Sequence, residues 1–228
     1  MILPGVQSLR HGVRRLKNRF GSKAAILLYH RVAELTTDPQ LMSVSPQRFA
    51  MQLECLSRNY QVVSLKTMVE DLKDEGKVVD RVVALTFDDG YADNFFNAKS
   101  LLEAYNVSAT VFVSTGHIGE NREFWWDELE RILLQPSTVP ATLRLKVNGH
   151  FCEWDLGDAA LYSDEDYTRY CSWNVTRKEN PTARQRLYRI LCQMLRPLRE
   201  GEREGVLEQL RSWAEVDPVG RHTHRCLT

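Results

Sequence analysis

Short apolar segments alternate with helical segments along the first half of the chain, and this alternation constrains the fold more than any other feature. The strand candidates are "AAILLYH" at 24–30, "QVVSL" at 61–65, "RVVALTF" at 81–87 and "SATVFVSTG" at 108–116. The helical segments between them are "SPQRFAMQLECLSRNY" at 45–60, "KTMVEDLKDEG" at 66–76 and "DNFFNAKSLLEAY" at 93–105. Strands that alternate with helices predict parallel β/α units, in either a barrel or an open sheet.

The rhythm changes after residue 136. "TLRLKVNGHFCEWDL" at 142–156 alternates about an Asn148-Gly149 pair, which predicts a hairpin with a type I′ turn and places Arg144 opposite Glu153. Two helices are expected between about 180 and 215, so this part is predicted to be an α+β insertion packed beside the β/α part.

Helix boundaries can also be predicted from capping residues. Ser45 followed by Pro46 is typical of a helix start. In "WWDELERILL" at 125–134, Asp127 with Glu130 three residues later predicts a capping box.

Composition excludes some functions and leaves others open. The 228 residues carry 30 Lys+Arg and 30 Asp+Glu, so no global field favours nucleic acid. The segment "VQSLRHGVRRLKNRF" at 6–20 predicts a basic amphipathic helix, which either attaches peripherally to an anionic membrane or, as we favour, docks on its own domain. Neither a signal peptide nor a membrane span is expected.

The cysteines indicate a reducing compartment. Five cysteines without CxxC spacing suit free thiols, so we expect a cytoplasmic protein, or one held peripherally at the inner membrane surface.

Polar side chains follow three of the strand candidates, where chemistry gathers in parallel β/α folds. His30, the Asp88-Asp89 pair and residues 114–117 all stand at carboxyl ends of strands. Two adjacent carboxylates resist ionising together unless a cation or hydrogen-bond donors offset the repulsion. The pair therefore indicates a site that supplies a cation or hydrogen-bond donors.

Five sequence blocks together resemble the polysaccharide deacetylase family. They are "LLYHRV" at 27–32, "VSPQRFAMQLECL" at 44–56, "LTFDDGYADN" at 85–94, "SATVFVSTGHIG" at 108–119 and "EFWWDELE" at 123–130. The resemblance implies a partial distorted (β/α)7-type barrel at 25–135, after a basic segment at 1–24 and before a hairpin-and-helix insertion at 136–228. It also implies removal of N-acetyl, sometimes O-acetyl, groups from an acetylated glycan or amino sugar with a divalent metal: zinc, or else cobalt or nickel.

The resemblance also assigns roles to three residues. Asp88 would be the general base and Asp89 a metal ligand. His30 would be the acid that protonates the leaving amine, for which an imidazole with an unperturbed pKa near ~6.5 is suited.

One part of the family pattern is missing. The family completes its metal site with an H-[ST]-x-x-H motif, whereas the nearest string here, "RHTHRCLT" at 221–228, spaces His222 and His224 by two and has Cys226 where the second histidine would stand. We therefore expect a C-terminally truncated deacetylase. Two alternatives stay open: an inert homologue that binds carbohydrate or a partner, and a phosphotransferase of the Asp-x-Asp type, whose spacing "FDDG" lacks.

Overall fold

The computed structural model describes residues 24–75 and 81–227, which divide into two compact units. The first unit comprises 24–33, 44–75 and 81–114, and the second comprises 34–43 and 115–227. The basic segment at 6–20 lies outside the described residues. No helix in the described ranges is long and apolar enough to cross a membrane.

The first unit confirms the predicted alternation of strands and helices. Its elements are β1 (Ala25–Tyr29), β2 (Arg31–Val32), β3 (Ser43–Val44, at the boundary between the units), α1 (Pro46–Asn59), β4 (Gln61–Val62), α2 (Leu65–Glu75), β5 (Val82–Phe87), a π-helical turn (Asn94–Ala98), α3 (Lys99–Ala104) and β6 (Ala109–Val111). The strand predicted at 108–116 is shorter than expected, because regular pairing ends at Val111.

Strand β5 organises the sheet. It pairs in parallel with β1, β4 and β6, and all of its residues are buried. The register places Tyr29 of β1 beside Phe87 of β5. Since the two strands run in the same direction and are hydrogen-bonded neighbours, the residues that follow them emerge side by side.

Aromatic side chains fill the core between this sheet and helix α1. The ring centroid of Phe49 on α1 lies 5.2 Å from that of Tyr29 and 5.9 Å from that of Phe87. Full burial of an aromatic side chain of this size stabilises the fold by about 1.5–3 kcal/mol. The predicted start of α1 is confirmed, because Ser45 accepts a hydrogen bond from the Arg48 amide and Pro46 is the first helical residue.

The opposite face of β1 is less well covered. Ile26 and Leu28, which alternate with the core residues of the strand, are each 55% exposed. Among the described residues, β1 also has no strand on its outer edge.

The second unit contains the predicted hairpin and helices. Its elements are α4 (Trp125–Leu134), β7 (Ser137–Thr138), β8 (Thr142–Val147), β9 (His150–Asp155), β10 (Leu161–Tyr162), α5 (Asp164–Tyr170), α6 (Ala183–Leu195) and α7 (Glu200–Ala214), with 3₁₀ turns at Thr115–His117, Gly157–Ala160 and His222–His224. The hairpin is confirmed, with Arg144 opposite Glu153. Asn148 and Gly149 have φ values of 50° and 82°, as a type I′ turn requires.

The capping box predicted at Asp127 is wrong. Helix α4 begins at Trp125 with Phe124 in the cap position, so Asp127 lies within the first turn. Glu130 instead binds Arg221 and accepts a hydrogen bond from the Thr37 hydroxyl at 2.6 Å. The glutamate that suggested a cap therefore belongs to a buried ion-pair cluster.

The cysteines should differ widely in reactivity. Cys55 is exposed, whereas Cys192 is buried, and burial raises the pKa of its thiol to about 11. Because the thiolate is the nucleophile, we expect iodoacetamide at about pH 8 to alkylate Cys55 well before Cys192. Peptide mass spectrometry at timed intervals measures the order, and a Cys55→Ser variant identifies the fast phase. Alkylation of Cys192 as fast as that of Cys55 in the folded chain would contradict this assignment.

Candidate active site

Neighbouring strand ends bring the predicted site residues to one edge of the sheet. His30 directly follows β1 and Asp88 directly follows β5. The Asp88 amide donates to the Tyr29 carbonyl at 2.9 Å, so the ladder between the strands continues to the first residue of the acidic pair. The convergence of His30 and Asp88 is thus a consequence of parallel pairing.

The chain turns sharply between Asp88 and Gly90. Asp89 and Gly90 have φ values of 69° and 78°, and the Gly90 amide donates to the Asp88 carbonyl at 2.9 Å. A Cβ atom on residue 90 would lie 3.0 Å from Val113 Cγ1 and 3.2 Å from Val113 Cα. Both the left-handed conformation and this close approach favour glycine. Asp89 is the strained member of the turn, since left-handed backbone is uncommon for residues with a Cβ.

Asp89 and His30 are in direct contact. His30 Nδ1 lies 3.0 Å from Asp89 Oδ2, and the two side chains are 30% and 20% exposed. A carboxylate on one ring nitrogen fixes the ring orientation and selects the tautomer that carries the proton at Nδ1. The contact with Asp89 thus defines how the His30 ring is held at this edge of the sheet.

The Asp88 carboxylate has a different environment. Within the part of the chain that the structure describes, no hydrogen bond or ion pair engages its oxygens, and the side chain is partly exposed. The two adjacent aspartates therefore differ in role as well as in backbone conformation. One carboxylate binds an imidazole, and the other is available to accept a proton.

Residues after the acidic pair hold the segment that carries His30, and the sequence reasoning missed them. The Asp93 carboxylate accepts from Arg31 Nε and from the Val32 amide, both at 2.9 Å. Asn94 Nδ2 donates to the His30 carbonyl at 2.8 Å. The motifs that carry these residues, "YHRV" and "DDGYADN", both belong to the blocks that resemble the family, and they could have pointed to a contact. Hydrophobic periodicity alone placed Asp93 at the start of a helix.

The described residues do not provide a complete zinc site. Catalytic zinc normally takes three protein ligands and leaves one position for water. Over residues 24–75 and 81–227, no group of three or more His, Cys, Asp or Glu side chains is arranged to hold a metal ion. Asp89 and His30 supply at most two donors, and they already contact each other.

The other histidines considered from the sequence lie in the second unit. The His117 ring packs at 4.5 Å from the Phe124 ring. His224 is buried, with its Nδ1 2.9 Å from the Thr223 hydroxyl. Both therefore have local structural contacts.

Comparison with known proteins finds a family that resembles part of the chain. The sequence model of the polysaccharide deacetylase family matches residues 75–140, which include β5, the acidic pair and the turn that follows. Residues 75–140 are therefore similar in sequence to polysaccharide deacetylases.

The chain is also similar to individual proteins over about half of its length. A poly-beta-1,6-N-acetyl-D-glucosamine N-deacetylase of Staphylococcus aureus is 32% identical over 120 residues, which cover 47% of this chain and 41% of that protein. Among solved structures, IcaB from Ammonifex degensii is 26% identical over 49% of each chain, with a TM-score of 0.40. The Streptococcus pyogenes deacetylase PplD, solved with acetate, is 30% identical over 41% of this chain and 43% of that one, with a TM-score of 0.37. The chain spans about two fifths of the length of the curated relatives it matches.

Proposed function

We propose that the site hydrolyses N-acetyl groups of a polysaccharide or amino-sugar substrate. The observation that carries the proposal is the position of two groups at adjacent ends of parallel strands. One is the Asp88 carboxylate, which has no hydrogen bond or ion pair within the described ranges, and the other is the His30 imidazole, which Asp89 contacts. An amide hydrolase needs a base for water and an acid for the leaving amine. The first unit offers one group for each role.

In the proposed reaction, Asp88 accepts a proton from a water molecule whose oxygen attacks the acetyl carbon. The tetrahedral intermediate collapses as the carbon–nitrogen bond breaks. His30 donates the proton that the departing nitrogen needs, so the products are acetate and a free amino sugar. Asp89 stabilises the protonated imidazole and fixes its orientation.

Asp89 is also proposed as one ligand of a divalent metal, zinc or else cobalt or nickel. One of its oxygens contacts His30, which leaves the other for a cation. A bound metal would polarise the acetyl carbonyl and lower the pKa of a coordinated water. The described residues do not complete such a site, so no step above depends on the metal.

We further propose that the first unit is part of a deacetylase barrel. Its parallel β1–β5 and β5–β6 pairs support this arrangement, as does the packing of α1 and α3 against one face of the sheet. Peripheral contact of the basic segment at 6–20 with a membrane is a separate proposal, based on the sequence alone.

Acetate release tests the proposed function. The purified chain is incubated with N-acetylglucosamine oligomers, with and without added zinc, cobalt or nickel, and acetate is measured by a coupled enzymatic assay. We expect release from the N-acetylated oligomers and none from fully deacetylated ones. The proposal fails if neither this chain nor a version extended beyond Thr228 releases acetate from any acetylated glycan.

A second candidate function is a binding module without catalysis. The absence of a three-ligand metal cluster from the described residues favours it. Metal analysis of the purified protein separates the two candidates. Stoichiometric zinc that is lost on Asp89→Ala substitution would exclude the inert module, whereas metal-free protein that binds the oligomers without releasing acetate would support it.

A further inference from the structure

The segment that carries His30 is held from one side by a single turn. Side-chain hydrogen bonds connect the turn Asp93–Asn97 to the segment His30–Val32, and they include two to Asp93, one from Asn94 and one from Asn97. Of these, the 2.8 Å bond from Asn94 Nδ2 goes to the main chain of His30 itself. The 2.7 Å bond from Asn97 Nδ2 goes to the Val32 carbonyl, two residues further along.

The burial of Asn94 protects its hydrogen bond to His30. Its side chain is only 5% exposed, so its amide is shielded from competition with water. The strand ladder ends one residue before His30, where the Tyr29 carbonyl accepts from the Asp88 amide. The His30 carbonyl therefore lies just beyond the regular sheet, and a buried side chain supplies its donor.

The backbone that carries Asn94 forms a π-helical turn. Residues Asn94–Ala98 are π-helical, and the Lys99 amide donates to the Asn94 carbonyl five residues earlier. Such wide turns are rare and are found frequently at functional sites. Here the turn leaves Asn94 and Ala98 buried while Phe95 and Phe96 between them are more than half exposed.

We infer that Asn94 is a positioning residue that fixes the His30 imidazole for proton donation. Asn94 holds the carbonyl of His30, and Asp89 holds its Nδ1. Together these contacts limit the movement of the imidazole relative to Asp88 at the neighbouring strand end. This inference rests on the proposed function, because it assigns Asn94 to the acid of that reaction.

The test compares Asn94→Leu with Asn97→Leu. Both substitutions remove an amide that donates to a main-chain carbonyl of the same segment, so both loosen the local structure. Only Asn94→Leu releases His30 itself. A small displacement of a reacting group can lower the rate about 10²-fold, so we expect Asn94→Leu to lower kcat by about 10–100-fold with KM within about twofold. We expect Asn97→Leu to change kcat by less than about threefold.

A spectroscopic measurement makes the test independent of activity. Two-dimensional ¹H–¹⁵N spectra of the imidazole rings report tautomer and order, and a His30→Gln variant identifies the His30 signals. We expect one distinct His30 tautomer in the parent chain and in Asn97→Leu, and averaged Nδ1 and Nε2 shifts in Asn94→Leu. Restoration of the parent pattern by Asn94→Gln, which keeps the amide, would support positioning through this hydrogen bond.

Two results would overturn the inference. One is an Asn94→Leu chain whose His30 signals match the parent. The other is a loss of kcat in Asn97→Leu as large as in Asn94→Leu, which would indicate a general loosening of the turn. If the parent releases no acetate, the proposed function fails, while the imidazole spectra still decide whether Asn94 fixes His30.

Discussion

Replacement of Asp88 by asparagine is expected to lower kcat/KM for acetate release by about 10²–10⁴-fold, the range typical of a general base. The substitution keeps the size and shape of the side chain but removes its ability to accept a proton from water. Since the Asp88 carboxylate has no hydrogen bond or ion pair among the described residues, the change breaks no side-chain contact in that part of the chain. Loss of rate should therefore come without loss of stability.

A matched substitution separates the loss of the general base from the change in net charge. Asp74 on α2 is an exposed carboxylate, and Asp74→Asn changes the net charge of the chain by the same amount. We expect Asp74→Asn to keep its rate within about twofold of the parent. If Asp88→Asn retains more than about a tenth of the parent rate, Asp88 is not the general base.

Replacement of Asp93 by alanine is expected to lower the free energy of unfolding of the first unit by about 3–5 kcal/mol. Asp93 pairs with Arg31 Nε at 2.9 Å, and the Arg31 side chain is only 1% exposed. The guanidinium also lies 4.4 Å from the centre of the Tyr91 ring. Removal of the carboxylate takes an ion-pair partner from a buried guanidinium and deprives the Val32 amide of its acceptor.

The positions of the tryptophans allow this loss to be localised. All five lie between Trp125 and Trp213, in the second unit, so their fluorescence reports that unit alone. Native-state hydrogen exchange of the β5 amides reports the first unit. We expect faster exchange in β5 and an unchanged tryptophan transition in Asp93→Ala.

Two further variants serve as controls for the ion pair. Removal of an exposed partner, Glu54→Ala, should change stability by less than about 1 kcal/mol, since the Arg58–Glu54 side chains are 72% and 44% exposed. Joint replacement, Arg31→Met with Asp93→Leu, should recover part of the loss, because no unpaired charge remains buried. A loss below about 1 kcal/mol in Asp93→Ala would show that water or another group compensates Arg31.

The sequence predicted the convergence of the site because two simple rules apply there. Apolar runs at 24–30 and 81–87 predicted parallel strands whose following residues share one face. The structure pairs these two strands directly, which places His30 and Asp88 at one edge. The hairpin was predictable for a similar reason, since Asn148-Gly149 is a pair that tolerates positive φ at both positions.

The finer geometry of the site could not be predicted in this way. The contact between His30 and Asp89 depends on the left-handed backbone of Asp89, which no hydrophobic period encodes. The π-helical turn after Asp93 has the composition of an ordinary helix, and its form reflects tertiary bonds to His30 and Val32. Asp127 failed as a cap for a related reason, because a carboxylate inside the first turn satisfies the same local pattern.

The uncovered side of β1 has a practical consequence for all of these measurements. Ile26 and Leu28 form an aliphatic surface beside a strand edge that no described strand covers, and such edges promote pairing between molecules. Parallel sheets are found almost only with both faces covered. Self-association of the purified chain should therefore rise with concentration, and rates compared between variants are meaningful only at matched, low protein concentration with light scattering as a check.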